Sequence, residues 1–318
     1  MTASMTDRRC LACYEPIPEG DFHPACSRRF FGTPDPPEFP YELQQMHELA
    51  QEVIRSSVSI TGVQAKLSVD LTAAAGAHKR KRLTIVGMWG RYVLKPPTTD
   101  YSSLPEIEDL SMHIAGAFKL RTVPHTLIRI ATGELAYLTR RVDRHGGLKL
   151  HMEDMCQLTE RLTEDKYKGS LEQVGKRIQR YSDNPGFDLV ELLRLSLACF
   201  LTGNADMHLK NFSLLHAADG TVGLAPAYDV VSTTLVLPED TEESALTING
   251  KKSRLRSDDF AALANTLNIP ANVYGNTLQE LHDLMPEAHA LIDTSFLNRE
   301  DKSRYRSLLA ERSSRLGI

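Results

Sequence analysis

The stretch Asn204-Ala-Asp-Met-His-Leu-Lys-Asn211 sets an aspartate five residues ahead of an asparagine. That spacing suits phosphoryl transfer. The reaction asks a protein for cationic contacts to phosphates, for carboxylate and amide oxygens that hold magnesium, and for a group that orients or deprotonates the acceptor hydroxyl. In protein-kinase-type sites the catalytic Asp stands five residues before a metal-binding Asn, as Asp206 stands before Asn211. A second metal-binding Asp is then needed one hairpin later. Asp229, eighteen residues past Asn211 in Leu224-Ala-Pro-Ala-Tyr-Asp229, meets that need if Phe212 to Leu224 folds as the hairpin. Taken singly, an Asp and an Asn that follow a Gly are also ordinary turn formers and caps.

Such a site further needs a strand lysine on the phosphates and a helix carboxylate that holds it. Gly90-Arg-Tyr-Val-Leu-Lys95 ends a strand pattern in lysine, and the helix expected after it carries Glu106 and Glu108. Glu108, further into the helix, is the expected partner; Glu106 is placed to favour the helix N-terminus through its charge. Read alone, Lys95 fits a surface lysine at a strand end equally well. The loop over the phosphates should precede Lys95. The candidate is Ser57-Val-Ser-Ile-Thr-Gly-Val-Gln64, which has one glycine and must rely on small hydroxyls and backbone N–H groups to cradle phosphate.

The elements that must position these residues follow from periodicity. Four prolines between Gly32 and Pro40 exclude a helix or central strand there and set off residues 1–40 as a small head and linker. Tyr41 to Ile54 has helical spacing. Residues 41–142 then read as a small sheet with one inserted helix. The strands are Lys66–Leu71, Leu83–Val86, Tyr92–Lys95, Thr126–Ile130 and Leu135–Val142, and the helix is Glu106–Leu120. Residues 143–318 are mainly helical. Asp188–Leu201 is apolar nearly all round, which argues for burial, and Gly203 ends it. At least three more helix patterns follow Asp258. A β-rich lobe followed by an α-rich lobe is an α+β layout.

Composition bounds the function. At 42% hydrophobic and 25% charged residues, the chain is of ordinary globular type. A net charge of −4 leaves no bulk footprint of nucleic-acid binding. The one compact basic run, His78-Lys-Arg-Lys-Arg82, is expected at a solvated hairpin tip. No apolar run approaches a membrane span, and Met1 to Cys10 lacks the apolar stretch of a signal peptide, so a cytoplasmic protein is expected. Small-molecule or lipid kinases would use the same parts, and a non-catalytic nucleotide-binding interaction protein would keep some of them. The intact Asp206 and Asn211 disfavour the last, and the lack of a basic amphipathic helix disfavours a lipid surface.

Together, five segments resemble the HipA family of bacterial serine/threonine kinases, in the family's order. They are Ser57–Lys66, Tyr92–Lys95, His151-Met-Glu-Asp-Met-Cys-Gln157, Gly203–Ser213 and Leu224–Asp229. The resemblance implies a two-lobed protein-kinase-like fold, related to the phosphoinositide kinases through their Asp-x-His-x-x-Asn loop. It implies ATP and Mg2+, with Asp206 as catalytic base and Asn211 and Asp229 as magnesium ligands. Lys95, Ser59, Thr61, Gly62, Val63, Glu108, Arg140, Val142, His208 and Lys210 would surround the nucleotide, Thr139–Val142 forming the hinge near adenine. The family's members are toxins of toxin–antitoxin modules that phosphorylate aminoacyl-tRNA synthetases and halt translation.

This chain reaches the kinase loop almost at once, where full-length HipA proteins carry a further N-terminal piece. It is therefore similar to the short HipT form. There, a small HipS protein and a helix-turn-helix DNA-binding HipB protein complete the module, DNA is reached only through the antitoxin, and tryptophanyl-tRNA synthetase is the implied target. HipT-like proteins carry a Ser-x-Ser pair, matched by Ser57 and Ser59, which the family pattern makes autophosphorylation sites. Each phosphate would add about −1.5 to −2 charge beside the nucleotide, and is expected to open the loop and lower activity.

Cys10-x-x-Cys13 followed by His23-x-x-Cys26 has the arithmetic of a structural Zn2+ knuckle; a reduced, metal-free head is the alternative. Cys156 and Cys199 read as core residues, and His113 and His125 as structural.

Overall fold

Burial alternates along Leu67–Thr72, with Leu67 and Val69 fully inside and Ser68 and Asp70 half-exposed, the mark of a strand with one covered face. The structure is a computed structural model and describes residues 8–46, 48–49, 66–72, 81–86 and 89–318. The chain forms two compact units. Unit 1 takes residues up to Asp109, Val123–Arg141 and Thr294–Phe296; unit 2 takes Leu110–Thr122, Val142–Asp293 and Leu297–Ile318.

In unit 1, β1 (Leu67–Thr72), β2 (Arg82–Ile85), β3 (Tyr92–Lys95), β4 (His125–Arg129) and β5 (Leu135–Arg140) make one antiparallel sheet in the order β2-β1-β3-β5-β4. β3 is central, and its register sets Lys95 opposite Tyr137. Gly90 opens β3 where a Cβ would lie 2.5 Å from Ser68 Oγ, so no larger residue fits without displacing β1. Helix α2 (Leu104–Ala117) follows, with Glu106 in its first turn.

The N-terminal head, marked off by composition at residues 1–40, is grouped with unit 1 and shares its core. Helix α1 (Pro24–Phe31) starts on a proline and stops at Gly32, whose left-handed φ of 76° lets its N–H reach the Arg28 carbonyl. Phe30 and Phe31 pack on Tyr92. Backbone bonds tie this segment to both sides of the sheet. Leu127 N donates to Leu11 O (3.3 Å) beside β4, and Leu83 N donates to Glu38 O (2.9 Å) beside β2. Residues 43–46 and 48–49 are helical; the rest of the helix expected to Ile54, together with His78, lies outside the described residues.

Unit 2 holds the ribbon β6 (Arg144–His145) and β7 (Leu148–Lys149), and a three-stranded sheet in the order β10-β9-β8. The expected hairpin is present as β9 (Ser213–His216) and β10 (Val222–Leu224), turning at Gly220 with φ 88°. β8 (Met152–Asp154) adds the third strand, and α3 (Met155–Leu158) continues from it. Helix α4 (Leu171–Tyr181) buries Leu171, Val174 and Ile178. Leu171, Val174, Gly175 and Ile178 share one helical face, and a Cβ at Gly175 would overlap Leu267.

Helix α5 (Pro185–Thr202) is buried along most of its length. The short α6 (Thr233–Val236) and three longer helices complete the unit: α7 (Ser257–Thr266), α8 (Ala271–Thr294) and α9 (Arg299–Leu316). The α+β class expected from the sequence is the one observed. No described helix is long and apolar enough to cross a membrane.

Candidate active site

The loop that carries Asp206 is built from the end of α5. Gly203 adopts a left-handed φ of 71°, and Asn204 N returns to the Cys199 carbonyl (2.8 Å), closing the helix. Asn204 is buried and acts as the loop's internal strut. Its Oδ1 accepts from Asp206 N (3.1 Å), and its Nδ2 donates to the Asp229 carbonyl (3.4 Å). Ala205 N donates to Thr233 Oγ1 (2.8 Å), which tethers the loop to the start of α6. Asn211 Nδ2 donates to the Asp206 carbonyl (3.1 Å). The amide is thereby oriented, and Oδ1 is the atom Asn211 has left to offer a cation. Asp206, Asn211 and Asp229 thus belong to one hydrogen-bonded network, with Asn204 at its centre.

Asp229 has φ 56°. A non-glycine residue in that region costs on the order of 1–3 kcal/mol and persists where its surroundings enforce it. Part of that enforcement is the preceding Tyr228, whose buried hydroxyl donates to the Lys210 carbonyl (3.0 Å) and meets Ser213 Oγ (2.6 Å). Burial pushes the Tyr228 phenol well above its ordinary range.

Two further groups, neither of them legible as a site residue in the sequence, complete this loop. Tyr167, half-exposed, donates its hydroxyl to Asp206 Oδ1 (2.7 Å) and packs edge-on against His208. Burial, followed by the Asp206 carboxylate, raises its pKa. It lies in a stretch without periodic pattern, so only its nearness to the Met152–Gln157 segment could have pointed to it. Asp154 accepts from Gln157 N (2.9 Å) as the cap of α3 and from Lys210 Nζ (2.8 Å). Lys210, expected near the nucleotide, is therefore paired with Asp154. His208 is buried, and burial lowers its pKa against the opposing pull of Asp206; among the described residues its Nδ1 has no hydrogen-bond partner. Val142 starts unit 2, beyond the end of β5.

In unit 1, Lys95 Nζ and Glu108 Oε1 are 2.5 Å apart, and the two residues are 5% and 1% exposed. The ammonium also lies 5.5 Å from the centre of the Tyr137 ring. The lysine that ends β3 is thus held by the carboxylate one turn inside α2. Arg140 is turned elsewhere: its guanidinium caps the end of α1 by donating to the carbonyls of Arg29 (3.1 Å) and Phe30 (2.5 Å). Ser57, Ser59, Thr61, Gly62 and Val63 lie outside the described residues.

The head brings its four expected ligands together. The donor atoms of Cys10, Cys13, His23 and Cys26 all lie within 4.8 Å of one another. Burial, reinforced by Cys10, raises the Cys13 thiol to about 12. Cys156 and Cys199 are buried free cysteines, as expected. His125 is more than a spectator, since its Nδ1 meets Asp109 Oδ1 at 2.7 Å.

Comparison with known proteins places these parts in a family. The model for the HipA-like C-terminal domain matches residues 58–289. Three relatives carry the name putative kinase. Y4dM of Sinorhizobium fredii is 31% identical over 70% of this chain and 56% of its own length. Y4mE of the same organism is 29% identical over 78% and 60%. One from Haemophilus influenzae is 28% identical over 74% and 75%. The chain thus spans less than two thirds of the two Sinorhizobium proteins.

Among solved structures, HipA of Shewanella oneidensis, determined with HipB and operator DNA, superposes with a TM-score of 0.69 at 20% identity, covering 88% of this chain and 72% of that one. The proinflammatory kinase CtkA of Helicobacter pylori gives 0.54 at 18% identity, covering 79% and 93%. These two share the fold. The resemblance read from five sequence segments is borne out: the chain belongs to the HipA-like C-terminal domain family.

Proposed function

We propose that the chain is an ATP-dependent serine/threonine protein kinase and the toxin of a bacterial toxin–antitoxin module. The observation that carries this reading is the network in which Asn204 joins Asp206, Asn211 and the strained Asp229. Asp206 accepts the proton as an acceptor hydroxyl attacks the γ-phosphorus, the bond to the β–γ bridging oxygen breaks, and ADP leaves. Tyr167 holds the Asp206 carboxylate in orientation. Asn211 Oδ1 and the Asp229 carboxylate are suited to magnesium, which when bound offsets charge on the phosphates. Lys95, held by Glu108, meets those phosphates. The donors of the head suit a structural zinc ion.

A HipB-like DNA-binding antitoxin is the favoured partner, because the Shewanella neighbour was solved with one. A HipS-like small protein, an aminoacyl-tRNA synthetase substrate (tryptophanyl for the short form) and autophosphorylation at Ser57 and Ser59 follow from the family resemblance.

The test is expression in bacteria of the chain and its Asp206→Ala variant. Growth arrest by the parent alone, with a new phosphoprotein in the lysate, supports the reading; equal toxicity of both sinks it. Loss of a general base should cost about 10²–10⁴ in transfer rate.

A further inference from the structure

We propose that Cys10, Cys13, His23 and Cys26 hold a zinc ion that fixes Tyr14 against Asp109 and thereby sets the adjoining Glu108–Lys95 pair, making nucleotide handling metal-dependent. Only the effect on nucleotide rests on the kinase reading; the metal site and the coupling stand on unit 1 alone.

The donor set is arranged for coordination beyond mere proximity. A tetrahedral zinc with bonds of about 2.3 Å to sulfur and about 2.0–2.1 Å to nitrogen needs its donors roughly 3.5–3.8 Å apart. Cys13 Sγ and His23 Nδ1 are 3.4 Å apart. The other imidazole nitrogen, Nε2, is 3.1 Å from the Pro16 carbonyl. A carbonyl only accepts, so Nε2 carries the proton and Nδ1 turns its lone pair to the sulfurs. Metal-bound histidines are oriented by this kind of outer contact. His23 N also donates to Cys10 Sγ (3.4 Å), a second contact between two members of the set.

Tyr14 directly follows Cys13. Its φ of 63° is unusual for a tyrosine, and its N–H donates to the carbonyl of Cys10 (2.9 Å), closing the turn between two ligands. The side chain is 1% exposed, and its hydroxyl donates to Asp109 Oδ2 at 2.7 Å. The other Asp109 oxygen meets His125 Nδ1, so Asp109 is gripped from the head and from β4. Glu108 is the next residue back on the same helix. Whatever moves Asp109 therefore moves the carboxylate that holds Lys95. Tyr14 is in this sense a positioning residue, and the zinc is what holds its strained turn closed.

The test uses the full chain in three forms: zinc-loaded, chelator-stripped, and zinc-loaded Tyr14→Phe, which keeps all four ligands. Zinc content is measured by elemental analysis, hydrogen exchange is followed over residues 104–109, and the urea midpoint is recorded to separate local loosening from unfolding. The expected result is one zinc per chain, faster exchange over 104–109 in both altered forms, and ATP affinity lowered about five-fold or more. By linkage, ATP should tighten zinc binding by the same factor, read at equilibrium by competition with a chelator. Failure to retain stoichiometric zinc after reconstitution overturns the site. Unchanged exchange over 104–109 in both altered forms overturns the coupling. If ATP fails to bind even the loaded protein, the kinase reading falls, while the exchange result still decides the coupling.

Discussion

The ion pair between Lys95 and Glu108 permits a quantitative test that separates its contribution to stability from its contribution to chemistry. Both side chains are almost fully buried, and their charged atoms are 2.5 Å apart. Removing one partner leaves the other charge in the interior without this counter-ion, which costs about 3–5 kcal/mol. Glu108→Leu and Lys95→Met should each fall in that range, and independent effects would sum to roughly 6–10 kcal/mol. Replacing both by apolar residues of similar volume removes the desolvation penalty together with the attraction, and such swaps are often neutral or stabilising. The Lys95→Met, Glu108→Leu double variant should therefore be more stable than either single variant. Urea unfolding followed by circular dichroism checks this through the midpoint at unchanged slope. Nucleotide binding should be lost in the double variant despite its recovered stability, because the ammonium that meets the phosphates is gone. A double variant whose loss equals the sum of the singles would refute the coupling. One that is stable and still binds ATP like the parent would refute the role given to Lys95.

Three further outcomes are expected. Tyr167→Phe deletes the hydroxyl that donates to Asp206 and should lower kcat about tenfold, the lower end of a hydrogen bond to a charged group, with little change in the KM for ATP in steady-state assays. Gly203→Ala forces alanine to a φ of 71° and sets a Cβ 2.7 Å from Leu308 Cδ2 and 2.8 Å from Thr234 Oγ1; a loss of about 2–4 kcal/mol in denaturant unfolding is expected. Burial alone would raise the pKa of Glu243, but Arg315 at 2.7 and 2.9 Å and Leu255 N at 2.8 Å hold it below the ordinary carboxylate value. Its stabilisation is thus complete above the unfolded pKa of about 4.3 and disappears as pH falls through the lower folded value. Glu243→Gln should therefore show a shallower loss of stability between about pH 5 and pH 3 than the parent, as read from thermal unfolding across pH.

Much of this molecule is legible in its sequence because its signals are local. Five strands, α2, α5 and the β9–β10 hairpin follow from periodicity and turn residues within a few positions of one another. The preference for Glu108 over Glu106 needs only the helical frame, and the ligand pairs of the head need only spacing. What stays hidden depends on contacts between residues far apart in sequence. Tyr14 and Asp109 are 95 residues apart, and Tyr167 and Asp206 are 39 apart. Arg140 is placed near the nucleotide by the family resemblance, and the sequence gives no sign that its guanidinium also meets the α1 carbonyls. A strand pattern cannot say which neighbour will claim a long cationic side chain. In α4 the helical spacing of Leu171, Val174 and Ile178 is local, whereas the need for glycine at 175 comes from its distant neighbour Leu267.

The path of the N-terminal segment has a consequence for solubility. An antiparallel sheet of five strands has two outer edges, each a row of unsatisfied amides able to recruit a strand from another molecule. Here Leu11 occupies the flank of β4 and Glu38 the flank of β2. One stretch of chain thus guards both sides. Proteolytic removal of this segment would uncover two strand edges at once. Damage there should show first as self-association, before any loss of helix content in the rest of the protein.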